Sequence, residues 1–189
     1  MKRTNLSNRI ITLAIILSSL ALGQANDYYP TKTGLKWTYS NNTTQEFTGE
    51  KNVNGQMVSV LTKTLNGKVS SEEYFQSSVK GMNLLGFRAG GKLYWYNPPM
   101  NVYPAAPLAS GMRWSSSSKS SLGTVALTSR VLGSEGVTTP GGRFNAFRIR
   151  SSVTTSTGGS SVSDLYFVPS VGTVRYVTQD GSTVDLTGR

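Results

Sequence analysis

From Trp37 onward the hydrophobic residues follow a period of two or stand in short β-branched and aromatic runs, and no period near 3.6 persists for ten residues. Such alternation puts apolar side chains on one face of an extended chain, so the pattern predicts strands. Trp37-Thr38-Tyr39 leads through a polar turn, Ser40-Asn41-Asn42, into a strand from Thr43 to Glu50. Asn54-Gly55 and Asn66-Gly67 are hairpin signals, because both residue types accept positive φ. Between them Gln56 to Thr64 is a strand with Met57 and Leu61 as its apolar markers. Val69 to Ser77, Lys80 to Arg88 and Lys92 to Tyr96 follow, the last two separated by Gly90-Gly91.

The second half reads the same way. Asn97 to Ser110 holds Pro98, Pro99, Pro104 and Pro107 and is expected to be a stiff connection. The serine-rich run Ser115 to Ser121 is expected at an exposed strand end or loop. Leu122 to Leu132 is a strand, Gly133 to Gly142 a long turn, and Phe144 to Thr155 a strand with Phe147 and Ile149 on one face. Past Gly158-Gly159 come Ser161 to Val168, Val171 to Gln179 and Ser182 to Thr187, the last pair joined at Asp180-Gly181. The chain is therefore all-β, with about ten antiparallel strands in a curved sheet, incomplete barrel or sandwich.

The N-terminus departs from this pattern. Lys2, Arg3 and Arg9 precede an apolar run from Ile10 to Leu22, and Gly23-Gln24-Ala25 follows. A positive end, a short apolar run and a small-x-small exit predict a secretory signal peptide over 1–25, cut after Ala25. Residues 26–189 are then one β domain, exported to the periplasm or the extracellular space, and not membrane-spanning after cleavage. Polar residues on both faces of many strands, and an end at Arg189 rather than an aromatic, argue against a membrane barrel.

Composition narrows the chemistry. The sequence contains no cysteine and no histidine. Stability must come from burial without disulfides, and the commonest general base and transition-metal ligand are missing. No cofactor and no metal site is expected. Without the three signal-peptide cations, 16 Lys and Arg stand against 9 Asp and Glu, a net +7. These cations are scattered among Ser and Thr rather than grouped. That suggests a basic surface able to attract a polyanionic envelope component or a protein partner, and no nucleic acid.

Two halves, about 28–97 and 102–189, share a pattern. Tyr29-Pro30, Gly34-Leu35-Lys36-Trp37-Thr38 returns as Tyr103-Pro104, Gly111-Met112-Arg113-Trp114-Ser115. At an offset of 92, residues 59–79 match residues 151–171 at eight positions, among them Ser59/Ser151, Thr62/Thr154, Tyr74/Tyr166 and Phe75/Phe167. This predicts two similar meanders of about five strands each. The Trp pair differs by 77, so the second half holds about 15 further residues, expected in the serine run and the 133–142 turn.

Tyr28-Tyr29-Pro30 followed by Gly34-Leu35-Lys36-Trp37-Thr38-Tyr39 resembles the opening of exported bacterial β-proteins of the TapB-like group. Pro140-Gly141-Gly142-Arg143-Phe144 and Tyr166-Phe167-Val168-Pro169-Ser170-Val171-Gly172 are similar to two further motifs of that group, with Gly for Ala and Ser for Gly. The resemblance implies an exported curved sheet or incomplete barrel similar to lipoprotein carriers such as LolA, with no known catalytic residues.

Two sets of residues are candidates for chemistry. Glu72 and Asp164 each precede a tyrosine by two positions, and in a pseudo-twofold arrangement they would be a carboxylate pair for a histidine-independent hydrolase. The favoured reading is that each is paired with a surface cation or caps a strand edge. Tyr94, Trp95 and Tyr96, continued by Met100 and Tyr103, form the densest aromatic stretch and are the candidate ligand-binding residues. The structural alternative keeps Trp95 inward with a loop over the core. Trp37 and Trp114 are expected in the core. The expected function is a non-catalytic binding or structural protein of the cell envelope or secreted space. A carrier of a lipid or other apolar ligand in a concave sheet is the first alternative, distinguished by a hollow rather than a solid interior.

Overall fold

A computed structural model describes residues 28–189, so the signal-peptide reading of residues 1–25 lies outside the described residues. Its strands are β1 (Lys36–Tyr39), β2 (Thr43–Val53), β3 (Gln56–Leu65), β4 (Lys68–Ser78), β5 (Gly81–Ala89), β6 (Lys92–Pro104), β7 (Arg113–Ser120), β8 (Gly123–Thr139), β9 (Gly142–Thr155), β10 (Ser160–Val168), β11 (Gly172–Thr178) and β12 (Thr183–Gly188). Each strand pairs antiparallel with its sequence neighbours, and β1 pairs with β12, so the sheet closes into a barrel. The expected fold class holds. The count is twelve rather than ten, and the barrel is complete rather than partial.

The extra strand length comes from segments read as connections. β6 runs through Pro98 and Pro99 because the chain bulges there. Trp95 lies opposite Gly86 and Met100 opposite Leu84, which leaves Tyr96 to Pro99 outside the β5 ladder. Proline has no N–H to donate, so a bulge is where a strand tolerates it. The Gly133–Gly142 segment is not a turn: β8 continues to Thr139, kinked by a register shift between Val131 and Gly133. The serine run is strand β7, and Ser118 is buried with its hydroxyl donating to Pro98 O at 2.6 Å. Met57 is exposed, whereas Val58, Val60 and Leu61 are buried.

Alternation sends Trp37, Tyr39, Phe47, Leu61, Phe75, Val131, Ile149, Phe167, Val174 and Leu186 into the main core. A second cluster of Val53, Val58, Val60, Tyr74 and Leu85 packs on the opposite face of β3 and β4, under Leu93 and Trp95. A third, Tyr96, Met100, Val125 and Leu127, shares Leu84 and Val102 with the main core. Arg130 and Arg150 stand exposed beside inward Val131 and Ile149. No helix among the described residues is long and apolar enough to cross a bilayer.

The two tryptophans sit in matching local structure. Gly34 and Gly111 both have positive φ, at 87° and 82°. Gly34 N donates to Phe47 O and Phe47 N to Leu35 O; Gly111 N donates to Val131 O and Val131 N to Met112 O. Trp37 Nε1 donates to Val171 O at 2.6 Å, and Trp114 Nε1 to Val102 O at 3.2 Å. Trp37 is buried and Trp114 partly buried against the main core. Each tryptophan begins a run of six strands, β1–β6 and β7–β12. Bulges fall at Phe47/Gly49 and Val131/Gly133, and again at Tyr74/Phe75 and Tyr166/Phe167. The offset of 92 relates β4 to β10 only. Val60 faces Tyr74 and Arg148 faces Tyr166, so β3 relates to β9 by 88 and the Ser59/Ser151 and Thr62/Thr154 matches are not spatial equivalents. The added residues lengthen strands: β8 has 17 residues against 11 in β2, and β9 has 14 against 10 in β3.

Ile149 is 1% exposed at the centre of the main core. Its truncation in Ile149→Ala is expected to cost about 2–5 kcal/mol in urea unfolding, because a methyl-lined void replaces packed atoms. An unchanged midpoint would show that the interior is not packed as described.

Candidate functional site

The barrel interior is not solid. A cavity of about 230 Å³ lies within it. Trp37, Phe47, Leu61, Phe75, Met82 and Phe167 form its apolar wall. Gln45, Lys63, Glu73, Thr173 and Tyr176 give it a polar side, and Tyr29, Pro30 and Tyr103 cover one end. The cover is the Tyr-Tyr-Pro segment that the sequence places before the first strand. Tyr28 accepts a hydrogen bond from Leu108 N at 2.9 Å, and its carbonyl accepts from Ser170 N. Tyr29 stacks on Tyr103 at 4.9 Å and leans on Phe167 at 5.6 Å. The hydroxyl of Tyr29 is buried and has no hydrogen-bond partner, a condition that ordinarily costs about 1–3 kcal/mol.

The polar side depends on a bulge. A plain hairpin around Asn66-Gly67 pairs Leu65 with Lys68 and would place Glu72 opposite Leu61. The register shifts between Lys63 and Thr64, so Leu61 instead faces Glu73 and Lys63 faces Ser71. One extra residue exchanges the two faces of everything beyond it. The extra residue is Ser70, whose hydroxyl donates to Lys63 O at 3.1 Å. Glu73 therefore turns inward and accepts from Lys63 Nζ at 2.6 Å. Their side chains are 28% and 23% exposed, so the pair stands where the cavity meets solvent. Burial alone would lower the Lys63 pKa, but the Glu73 charge outweighs it and the ammonium is held above its usual range.

The tyrosines remain neutral donors. Burial, reinforced by the neighbouring Tyr176, raises the Tyr39 phenol well above its usual range; its hydroxyl donates to Thr173 O at 2.9 Å. Burial likewise raises Tyr103 and Tyr29. Gln45 Nε2 donates to the Tyr176 hydroxyl at 3.4 Å.

The aromatic stretch expected to bind ligand is dispersed. Of its members only Tyr103 lines the cavity. Tyr94 stacks on Phe87 at 4.8 Å, Trp95 packs against Tyr74 in the second cluster, and Tyr96 and Met100 are buried in the third. Strand alternation separates Trp95 from its neighbours, and the Tyr96–Pro99 bulge carries the chain away before Tyr103. Lys63 shares the face of Leu61 by simple alternation, but Glu73 was not legible as its partner, because only the bulge puts it on the interior face.

Glu72 and Asp164 are not a catalytic pair. They lie on β4 and β10, which are separated by five strands in either direction around the barrel. Glu72 accepts from the Tyr74 hydroxyl at 2.8 Å and lies 4.0 Å from Arg88 Nε. Asp164 accepts from Arg150 Nε and Nη2 at 2.8 and 2.9 Å, and from Arg148 Nε and Nη2 at 2.9 and 2.7 Å. The Arg150 hydrogen bonds lower its pKa below the usual carboxylate range; burial opposes this and Arg148 adds to it. No group of acidic side chains among the described residues is placed to hold a metal ion.

No family model matches the chain, and no curated protein resembles it significantly. Two solved structures are similar in backbone. One is a predicted lipoprotein from Parabacteroides distasonis, at 11% identity and a TM-score of 0.45. The other is a predicted exported protein with a YmcC-like fold from Bacteroides fragilis, at 13% identity and a TM-score of 0.44. Each alignment covers 85% of this chain and 97% of the other.

Two expectations follow from these electrostatics. Because the Asp164 pKa is depressed in the fold, its stabilisation is present above the ordinary value of about 3.9 and is lost as pH falls through the lower folded value. The stability gap between wild type and Asp164→Asn should therefore be widest near neutral pH and close below about pH 4. A gap that stays constant into acid would contradict the arginine clamp. Inside the barrel, Glu73→Leu should cost about 1–3 kcal/mol by leaving Lys63 without its acceptor. Adding Lys63→Met should recover most of that loss in the same unfolding assay.

Proposed function

We propose that this is an exported, non-catalytic carrier that holds a small, mainly apolar molecule inside its barrel. The observation that carries this reading is the hollow, mainly apolar interior. Cavities of about 150 Å³ lined by apolar side chains are known to take up benzene. A space of about 230 Å³ admits a body the size of a single or fused ring, or a short acyl chain. The aromatic wall contributes dispersion and apolar burial. Lys63 and Glu73 offer hydrogen bonds to polar atoms of the guest at the mouth. Export is the part of the reading supported by the N-terminal sequence. The absence of histidine and cysteine, and the arginine-bound state of Asp164, favour holding over chemistry.

Native mass spectrometry of the protein purified from its source is expected to show a small adduct that is lost on activation. Indole added to the emptied protein should raise the melting temperature in a saturable way, as any ligand bound only to the native state does. Leu61→Trp, which fills the cavity from β3, should remain folded and abolish both effects. Equal uptake by this variant would place the guest elsewhere.

A further inference from the structure

The basic residues look scattered along the sequence, but the strand register gathers three of them. Arg113 of β7 lies directly opposite Arg130 of β8, and Arg130 directly opposite Arg150 of β9. Residues directly opposite in an antiparallel pair share a face. That face is the outer one, since Trp114, Val131 and Ile149 next to them point into the core. With strands about 4.8 Å apart, the three side chains start from a row about 10 Å long. All three are exposed.

Like charges placed directly opposite one another destabilise a sheet. At one end of the row the cost is offset: Arg150 is bound by Asp164, and Arg148 is bound by Asp164 and lies 3.7 Å from Glu135. At the other end nothing offsets it. Among the described residues neither Arg113 nor Arg130 has a carboxylate within 4.0 Å. The adjacent row on the same face is Ser115 opposite Thr128, both exposed, with Thr128 opposite Ser152. A cationic row beside a row of small hydroxyls supplies charge and hydrogen-bond donors to anionic oxygens, without bulky side chains to hold a ligand off.

We propose that the outer face of β7, β8 and β9 is a docking strip for a linear polyanion, with Arg113 and Arg130 as its principal contacts. The guest lies across the strands, its anionic groups against the arginines and its remaining oxygens against Ser115 and Thr128. The strip is independent of the interior cavity.

Inorganic polyphosphate is a suitable probe, titrated against the full mature chain over a range of salt concentrations. The wild type should bind with affinity that falls linearly in log–log plots, as counterion release requires. Arg113→Thr/Arg130→Thr should bind more weakly at about 0.05 M salt by a factor that shrinks roughly tenfold by 0.2 M, because its slope is shallower by about 1.5–2. Free of ligand, this variant should melt about 1–4 °C higher, since the opposed charges are gone. A charge-matched control, Lys51→Ser/Lys68→Ser on the other half of the barrel, should keep the wild-type slope to within about 0.5. Equal losses in the two variants would reduce the effect to net charge and overturn the strip. So would absence of polyphosphate binding, or binding only to vesicles of anionic phospholipid.

Discussion

Closure of the sheet is the constraint on which the rest depends, and it is held by a short strand. β1 has four residues, and its pairing with β12 is irregular, with a register shift between Thr38 and Tyr39. Two side chains of that strand reinforce the seam. The Trp37 indole donates across it to Val171 O, and the Tyr39 hydroxyl donates to Thr173 O. Gly172 makes the first contact possible. Its φ is +105°, and a Cβ built on it would lie 3.2 Å from the indole nitrogen. The ring is therefore seated on bare backbone, and its face becomes part of the cavity wall. One contact thus joins the ends of the sheet and shapes the hollow inside it.

The interior is a compromise between packing and space. Fully buried Val131, Ile149, Val174 and Leu186 make part of it as dense as an ordinary core. Around the cavity, large rings meet edge to face: Trp37 with Phe47 at 6.0 Å, and Phe47 with Phe75 at 6.2 Å. Rings in that arrangement brace one another while leaving a gap that aliphatic chains would fill. The Tyr28–Tyr29 cover, which belongs to the first half of the chain, is tied to the second half of the barrel through Leu108 and through Ser170. The cover thereby belongs to the wall and not to a loose tail.

Strand character was legible because alternation and Asn-Gly turns are local signals. Hairpins at Asn54-Gly55 and Asn66-Gly67 fall where those dipeptides stand. Closure was not legible, since it rests on contacts between residues 134 apart, as from Trp37 to Val171. Pro98-Pro99 and Gly133 were read as breaks because bulges use the same residues as turns. The site was harder still. Tyr94, Trp95 and Tyr96 are conspicuous in sequence, yet consecutive strand residues cannot share a face. Lys63 and Glu73 are inconspicuous, and their meeting is decided by one extra residue in the ladder, which turns Glu73 inward. The arginine row was invisible for a related reason: Arg113, Arg130 and Arg150 become neighbours only through strand pairing.

The bulge at Ser70 gives the adjacent glutamates a meaning that neither has alone. β4 carries Glu72 and Glu73 in tandem, and one looks inward while the other looks out. Were the hairpin to slip by a single residue, the two would trade places, and an acid would still stand within reach of Lys63. Phe75 and Tyr74 would change faces with them, so the slip would keep the inner charge and lose the inner packing.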